Sequence, residues 1–333
     1  MRTQATIAGL GATAAIAVIA LNYQAPEGVE LFRGERLGAE DYQFIKYVAE
    51  FGKSYGTRAE FNFRQAQFAQ TLAKIETHNA QNGGMSTVGI NHMADWTPSE
   101  YKKLLGYKGV QKKATLGAEL LDESNLDATV NWVTKGAVTP VKNQGQCGSC
   151  WAFSTTGSVE GAMFLSTGKL QSFSEQQLVD CDKVDQGCNG GLMDNAFKYI
   201  ETNPLELESN YPYTGRDGSC SYTKSKGVAK VAGFKDVAAG SASQLKAAIA
   251  KGPVSVAIEA DQSVFQMYTG GVITAGCGSQ LDHGVLAVGY GTESGSDYIL
   301  VKNSWGASWG VDGYVKMAPS QCGVTTAASY PTE

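Results

Sequence analysis

The stretch Gln144-Gly145-Gln146-Cys147-Gly148-Ser149-Cys150-Trp151-Ala152-Phe153 decides the reading of this chain. It places a Cys-x-x-Cys between a Gly/Gln-rich loop and an apolar run that predicts a helix over residues 149–165. Three chemistries use such a pair. A thioredoxin-like redox pair needs a preceding strand in a βαβ unit, whereas here a loop precedes Cys147 and Trp151 follows Cys150. A zinc site needs a second Cys/His pair at ligand spacing, but His78 and His92 lie far upstream and His283 is the sole imidazole after residue 125. The third is a nucleophilic Cys150 at a helix start, where the helix dipole and free N–H groups favour thiolate, with Cys147 in a structural disulfide.

Seven Cys cannot all pair within one chain, so at least one thiol is left over. A thiolate nucleophile needs a base or an imidazolium partner, and that partner needs a group to orient it. His283 stands in Leu281-Asp282-His283-Gly284-Val285 at the start of a strand-like run. Asn303 stands in Lys302-Asn303-Ser304-Trp305-Gly306, just after the next such run. Alone, a single His is more often structural than catalytic, and an Asn beside a Gly-rich turn is more often a turn former. Their joint order changes the balance: His283 follows Cys150 by about 130 residues and Asn303 follows it by about 150.

On these residues the chain resembles the papain/cathepsin L family of cysteine peptidases, whose known signature is Cys-Gly-[Ser/Ala]-Cys-[Trp/Tyr] with a downstream His and Asn. The resemblance covers nearly everything after the amino-terminal segment. It implies Gln144 as oxyanion donor, Cys150 as nucleophile, His283 as acid/base and Asn303 as orienter. It puts Trp305 where the Asn–His contact is shielded from water. It also implies the pairs Cys147–Cys188, Cys181–Cys220 and Cys277–Cys322, which spacing alone cannot choose, and leaves Cys150 free. The implied fold is α+β and papain-like, a helical lobe plus a β-barrel-like lobe, preceded by a helical propeptide. The Cys150 thiolate and the His283 imidazolium would then form an ion pair across the cleft. Substrate would contact Gly190, Gly191, Leu192, Met193, Ala257, Leu281, Asp282, Gly284, Trp305 and Ala327. Among these, an apolar P2 pocket with a small base and no carboxylate is expected.

The resemblance reaches forward. Glu60, Arg64, Phe68, Ile75 and Asn79 are spaced like the interrupted helical motif of cathepsin L-type propeptides, and most of their steps are four or seven residues, which keeps them near one helix stripe. Thr71 stands where that family usually has Asn. Gly89, Asn91, Met93 and Asp95 resemble the second propeptide motif, with Met93 replacing the usual Phe.

The rest of the chain sets limits around this reading. It has 333 residues, 43% hydrophobic and 18% charged, enough for one large or two modest cores and too apolar for disorder. With 27 Lys+Arg against 32 Asp+Glu and a net charge of −5, a broad basic surface for nucleic acid is disfavoured. Residues 1–24 read as a targeting segment opened by Arg2, and their apolar run over 7–21 falls short of the ~20 residues of a membrane-spanning helix. A signal peptide cleaved near Ala20 implies an oxidising secretory route to a lysosome, a digestive vacuole or the exterior. The expected domains are a signal peptide over 1–20, an inhibitory propeptide over 21–125 with its boundary within 115–126, and a peptidase over 126–333. Residues 40–79 are helical in pattern, and residues 106–125 read as an exposed linker. Residues 190–202 predict a further helix, and 253–259, 284–290 and 298–302 predict strands, so the last zone begins helical and ends stranded.

The function expected is that of a latent zymogen of a cysteine endopeptidase. It would hydrolyse peptide bonds through a thioester acyl-enzyme, prefer a hydrophobic or aromatic P2 residue, and need no metal or organic cofactor. Its partners would be protein and peptide substrates, its own propeptide as inhibitor and cystatin-like inhibitors. No nucleic acid, no membrane after signal removal and a monomeric state complete the expectation. Two rivals stay open: a thiol–disulfide oxidoreductase using Cys147/Cys150, and an inactive papain-like binding protein.

Overall fold

A computed structural model describes residues 38–81, 85–109 and 120–333. The signal-peptide reading of residues 1–20 and much of the 115–126 boundary lie outside the described residues. Two compact units are distinguished, Met1–Lys46 and Tyr47–Glu333. Helix α1 spans Ala39–Glu50.

Helix α2 spans Arg58–Gln81 and begins where the Thr57 hydroxyl accepts the Glu60 N–H at 3.1 Å. Phe68 and Ile75, two turns apart, are its buried residues. Asn79 near its end bonds both ways to the Val88 backbone, N–H and carbonyl, and so ties α2 to strand β1, Ser86–Val88. Thr71 spends its hydroxyl on the Gln67 carbonyl within the helix (3.1 Å). A short helix α3, Pro98–Lys102, is started by a reciprocal Thr97/Glu100 capping box with Pro98 in the first turn.

The remaining elements are β2 (Val130–Asn131), α4 (Cys150–Thr167), α5 (Glu175–Cys181), α6 (Met193–Thr202), β3 (Gly233–Asp236), α7 (Ala242–Lys251), β4 (Val254–Ile258), α8 (Ser263–Gln266) and β5 (Tyr268–Ile273), followed by β6 (His283–Glu293), β7 (Ser296–Lys302), β8 (Tyr314–Met317) and β9 (Ala327–Thr332). The strands run β1-β5-β8-β7-β6-β4-β9-β3, with β2 on β6. Strand β1 belongs to the front zone, yet pairs antiparallel with β5 of the last zone. Strands β6 and β7 form a hairpin that closes through Ser294 and Gly295, both at positive φ (50° and 80°), as a tight two-residue turn with right-handed twist demands.

Two apolar cores result. One gathers Trp151, Phe173, Leu178, Phe197 and Ile200 around α4, α5 and α6. The other gathers Val256, Phe265, Tyr290, Val301, Trp309 and Met317 around the sheet. Helix α4 lies close against the sheet because Gly157 and Gly161 leave room. A Cβ on Gly157 would stand 2.8 Å from Leu286, and one on Gly161 2.5 Å from Pro253.

Two expectations need correction. The last zone is not simply stranded after its helices, because α7 buries Leu245, Ala248 and Ile249 against the sheet after a Ser241 cap. Its buried apolar residues, Leu245, Ala247, Ala248 and Ile249, span barely more than one turn, too little to stand out by periodicity. Nor is the whole of 106–125 exposed: Gly106 and Tyr107 are buried, and Leu121 packs against the sheet core. The stretch is polar on average, but these residues find apolar or backbone partners far away in sequence.

The structure joins Cys147 to Cys188, Cys181 to Cys220 and Cys277 to Cys322, and Cys150 is the free cysteine.

Candidate active site

Cys150 is the first residue of α4, so the unsatisfied N–H groups of the first turn surround its thiol. His283 is the first residue of β6, and Asn303 follows the last residue of β7. The antiparallel hairpin, with Leu286 opposite Lys302, folds these two positions back onto each other. His283 Nε2 then lies 2.8 Å from Asn303 Oδ1. The same oxygen accepts the Ser304 N–H, so it is the carbonyl end of the amide and His283 Nε2 must be the donor. That leaves the lone pair on Nδ1, which is buried without a hydrogen-bond partner. The next residue, Gly284, donates its N–H to Cys150 Sγ at 3.4 Å. Trp305 stacks on the imidazole with 4.8 Å between ring centres.

Gln144 is oriented as tightly. Its Oε1 accepts the Ser304 hydroxyl (2.7 Å) and the Trp305 indole N–H (3.1 Å). With both oxygen lone pairs used, Nε2 is the free donor end, and it points to the carbonyls of Cys147 (2.8 Å) and Leu104 (2.9 Å). Leu104 comes from the front zone. So do the next contacts: the Gly106 N–H donates to Cys150 Sγ (3.3 Å), Tyr107 N–H to the Asp282 carbonyl (2.9 Å) and Lys108 N–H to the Gly191 carbonyl (3.2 Å). Gly191 N–H returns a bond to the Gly106 carbonyl (2.9 Å), and the Tyr107–Gly191 pairing is parallel. A side chain at 106 is impossible here, since its Cβ would fall 1.8 Å from the Gly148 carbonyl oxygen.

Residues 104–108 therefore lie across the cysteine, and both reacting groups are fully buried beneath them. The expected thiolate–imidazolium pair belongs to the open cleft, whereas here both groups lie covered. Burial pushes the Cys150 thiol up to about 11, against the pull of the Gly284, Gly106 and Trp151 N–H groups. Burial likewise pushes His283 down to about 4, although the Asn303 bond opposes it. With water excluded, burial works against either charge while the segment is in place.

The residues expected around P2 divide into lining and backing. Leu192, Met193 and Ala327 line a cavity of about 120 Å³ beside Tyr107. Ala257 and Leu281 belong to the same apolar cluster behind that lining, and a Cβ on Gly284 would meet Met193 and Trp151. Gly190 turns at φ 116° and leaves space for the Gly106 carbonyl. The expectation of no carboxylate is corrected: Asp194 also lines the cavity, where it accepts the Ser329 hydroxyl at 2.7 Å. It escaped notice because it sits in the first turn of α6, where acids are common for the helix dipole alone. Among the described residues, no group of three His, Cys, Asp or Glu is placed to hold a metal ion, and no helix is long and apolar enough to cross a membrane.

Residues 126–332 match the papain family cysteine protease, and residues 44–101 match the cathepsin propeptide inhibitor domain. The chain belongs to the papain family of cysteine proteases. Within it, the protease is similar to procathepsin L of Rattus norvegicus, 47% identical over 306 residues that cover 87% of this chain and 91% of that one. It is also similar to cathepsin L of Sarcophaga peregrina, at 46% over 308 residues, 86% of this chain and 91% of that one. Among solved structures, a digestive procathepsin L2 from the larval midgut of Tenebrio molitor superposes with a TM-score of 0.82 at 38% identity, covering 88% of this chain and all of that one. The protease has the papain-like fold and is a cathepsin L-type proenzyme carrying its propeptide inhibitor domain.

Proposed function

We propose that this proenzyme is a cysteine endopeptidase held latent by residues 104–108 and armed by their removal. The observation that carries the reading is the continuous network Cys150–Gly284, His283–Asn303–Ser304–Gln144, with the Leu104 carbonyl seated on the Gln144 amide. Once the segment leaves, water and substrate reach the cleft, and the thiol proton passes to His283 Nδ1. The thiolate attacks a peptide carbonyl. Gln144 Nε2 and the Cys150 N–H hold the developing oxyanion in the place the Leu104 carbonyl vacates, a donor of a kind worth about 3 kcal/mol. His283 returns the proton to the leaving amine, and water then cleaves the thioester. Asn303 keeps the imidazole in its productive tautomer, as the third member does in such triads.

Endopeptidase action suits a chain with His283 as its sole imidazole after residue 125, since no second His is present to grip a substrate's terminal carboxylate. Tyr107 beside the cavity supports an apolar or aromatic P2 residue. Asp194 does not turn the pocket toward Arg, because its charge already meets the Ser329 hydroxyl and the α6 amino end. Three disulfides favour an oxidising secretory destination, whether lysosome, digestive vacuole or exterior. Signal removal near Ala20, propeptide cleavage within 115–126, cystatin-like inhibitors and a monomeric state belong to the same reading.

The test is stoichiometric labelling of the matured enzyme by an epoxide-type thiol inhibitor, with the adduct located by mass, beside kinetics on paired fluorogenic dipeptides. The expected results are a single adduct on Cys150, no activity in Cys150→Ala, and Phe-Arg favoured over Arg-Arg at least tenfold in kcat/KM. Ala327→Glu should raise Arg-Arg cleavage. Substantial turnover by Cys150→Ala would end the nucleophile assignment.

A further inference from the structure

The two donors assigned to the oxyanion sit at opposite ends of one loop, Gln144 at its start and Cys150 at its end. Ser149 occupies the N-cap position of α4, yet its side chain makes no capping bond. Its Oγ instead lies 2.6 Å from the Tyr213 hydroxyl. That hydroxyl donates to the Gln144 backbone carbonyl at 2.8 Å. A carbonyl can only accept, so the single Tyr213 proton goes to Gln144 and Ser149 Oγ–H must donate to Tyr213. The chain of bonds Ser149 to Tyr213 to Gln144 thus spans the loop from a third segment of the protein.

Tyr213 is itself fixed on two sides. Its ring stands edge-on to Phe153 of α4, with 4.8 Å between centres. Its backbone N–H donates to Glu208 Oε1 at 2.8 Å. Burial raises the phenol above its ordinary range, so the hydroxyl remains a donor at every working pH. The Cys147–Cys188 bridge anchors the middle of the loop, where the Cys147 carbonyl also accepts the Gln144 amide.

We propose that Tyr213 is a positioning residue, whose hydroxyl sets the separation of the Gln144 and Cys150 donors around the oxyanion. The inference rests on the peptidase reading above and deepens it. Deleting an oxyanion donor typically costs ~100- to 1,000-fold in turnover. Tyr213 touches no substrate and only holds the donors in place, so loosening it should cost about tenfold.

The experiment uses full-length chains matured in trans by active wild-type enzyme. Tyr213→Phe keeps the ring against Phe153 and removes only the hydroxyl. Expected are a tenfold lower kcat on a peptide amide and a KM within twofold of wild type. Alkylation of Cys150 by iodoacetamide should keep its wild-type rate, because iodide is displaced at carbon without any oxyanion forming. In a Gln144→Ala background the same substitution should lower kcat only about twofold. Ser149→Ala, which removes the other end of the chain, should act in the same direction by about threefold, and it carries the test if Tyr213→Phe does not fold. Wild-type kcat in both variants, equal loss of alkylation and hydrolysis, or an undiminished effect in the Gln144→Ala background would overturn the proposal. A wild-type enzyme that is alkylated at Cys150 yet cleaves no peptide would instead overturn the peptidase reading.

Discussion

Two clusters of charge hold this protein together, and they are built in opposite ways. In the propeptide, Asp95 accepts Tyr47 (2.5 Å), Tyr55 (2.8 Å) and Lys53 (2.9 Å), while Arg64 grips Glu100 through two 2.6 Å bonds. Asp95 and Tyr47 are buried while Lys53, Arg64 and Glu100 are part-exposed, and His92 stands among them, edge-on to Trp96. In the catalytic region, Lys142 lies between Glu160 (2.9 Å) and Glu175 (2.5 Å), and Lys302 reaches Thr139, which bonds Glu160. Burial works against the Lys142 charge, but the two carboxylates outweigh it and raise its hold on the proton. Burial pushes Lys302 down to about 8. The deep cluster links α4, which carries Cys150, to β7, which ends before Asn303. Its two carboxylates are buried and share one part-exposed ammonium, so removing one partner strands the others. The propeptide cluster instead gathers its donors on one carboxylate beside His92, an imidazole that burial holds neutral and that acid would charge. A latent enzyme needs that difference, because the inhibitor must let go under conditions the catalytic region survives.

The largest effect should come from breaking the deep cluster. Glu160→Ala strands Lys142 and Thr139 in the interior and should destabilise the catalytic region by about 3–5 kcal/mol. Denaturant midpoints on a Cys150→Ser background, which cannot digest itself, measure it. A loss under 1 kcal/mol would mean that the cluster is dispensable.

Next in size is Asp95→Ala, which leaves two hydroxyls and Lys53 without their common acceptor. Latency at neutral pH should weaken about 100-fold, read as the rate of propeptide release and activity. The deep cluster should not respond, so the Cys150→Ser catalytic region should keep its midpoint.

His92 sharpens the comparison through pH. Burial first, and then the Lys53 charge, depress it to about 4 from its ordinary 6.5, while Asp95 opposes the shift. A depressed folded value means that its contribution is whole above about pH 6.5 and is lost as pH falls from there toward 4. Replacing it with a neutral ring, His92→Phe, should lower the pH midpoint of activation by about half a unit to one unit. An unchanged midpoint would remove His92 from the acid response.

The smallest effect is Arg64→Lys, which trades a two-pronged contact with Glu100 for a point charge. That pair holds Glu100 down to about 2, so it stays ionised throughout the activating range. About a fivefold faster release, with no change in its pH midpoint, is expected.

The sequence reading and the structure part at identifiable places. Cys150, His283 and Asn303 were singled out because each sits in a local string whose order along the chain is itself the signal, and Gln144 because the family resemblance implied it. Helices α1, α2, α4 and α6 and strands β4, β6 and β7 were legible because their apolar patterns are long or bounded by turn residues. Helix α7 and strands β3, β5, β8 and β9 were not, since they are short and gain their burial from partners more than 10 residues away in the chain.

Motif order and the family resemblance it carries pointed to the zymogen plan and to Cys150, His283 and Asn303 as the site, because these depend on residue identity and on spacing that survives unfolding. Only the tertiary structure decided that Gly106 and Tyr107, polar-linker residues by their surroundings, lie on the cysteine. It alone placed Asp194 beside the cavity and Tyr213 between Ser149 and the Gln144 carbonyl. It also decided how deeply Cys150 and His283 are buried. A helix start invites a thiolate, but a backbone strand from elsewhere in the chain buries Cys150, and that burial works against the charge.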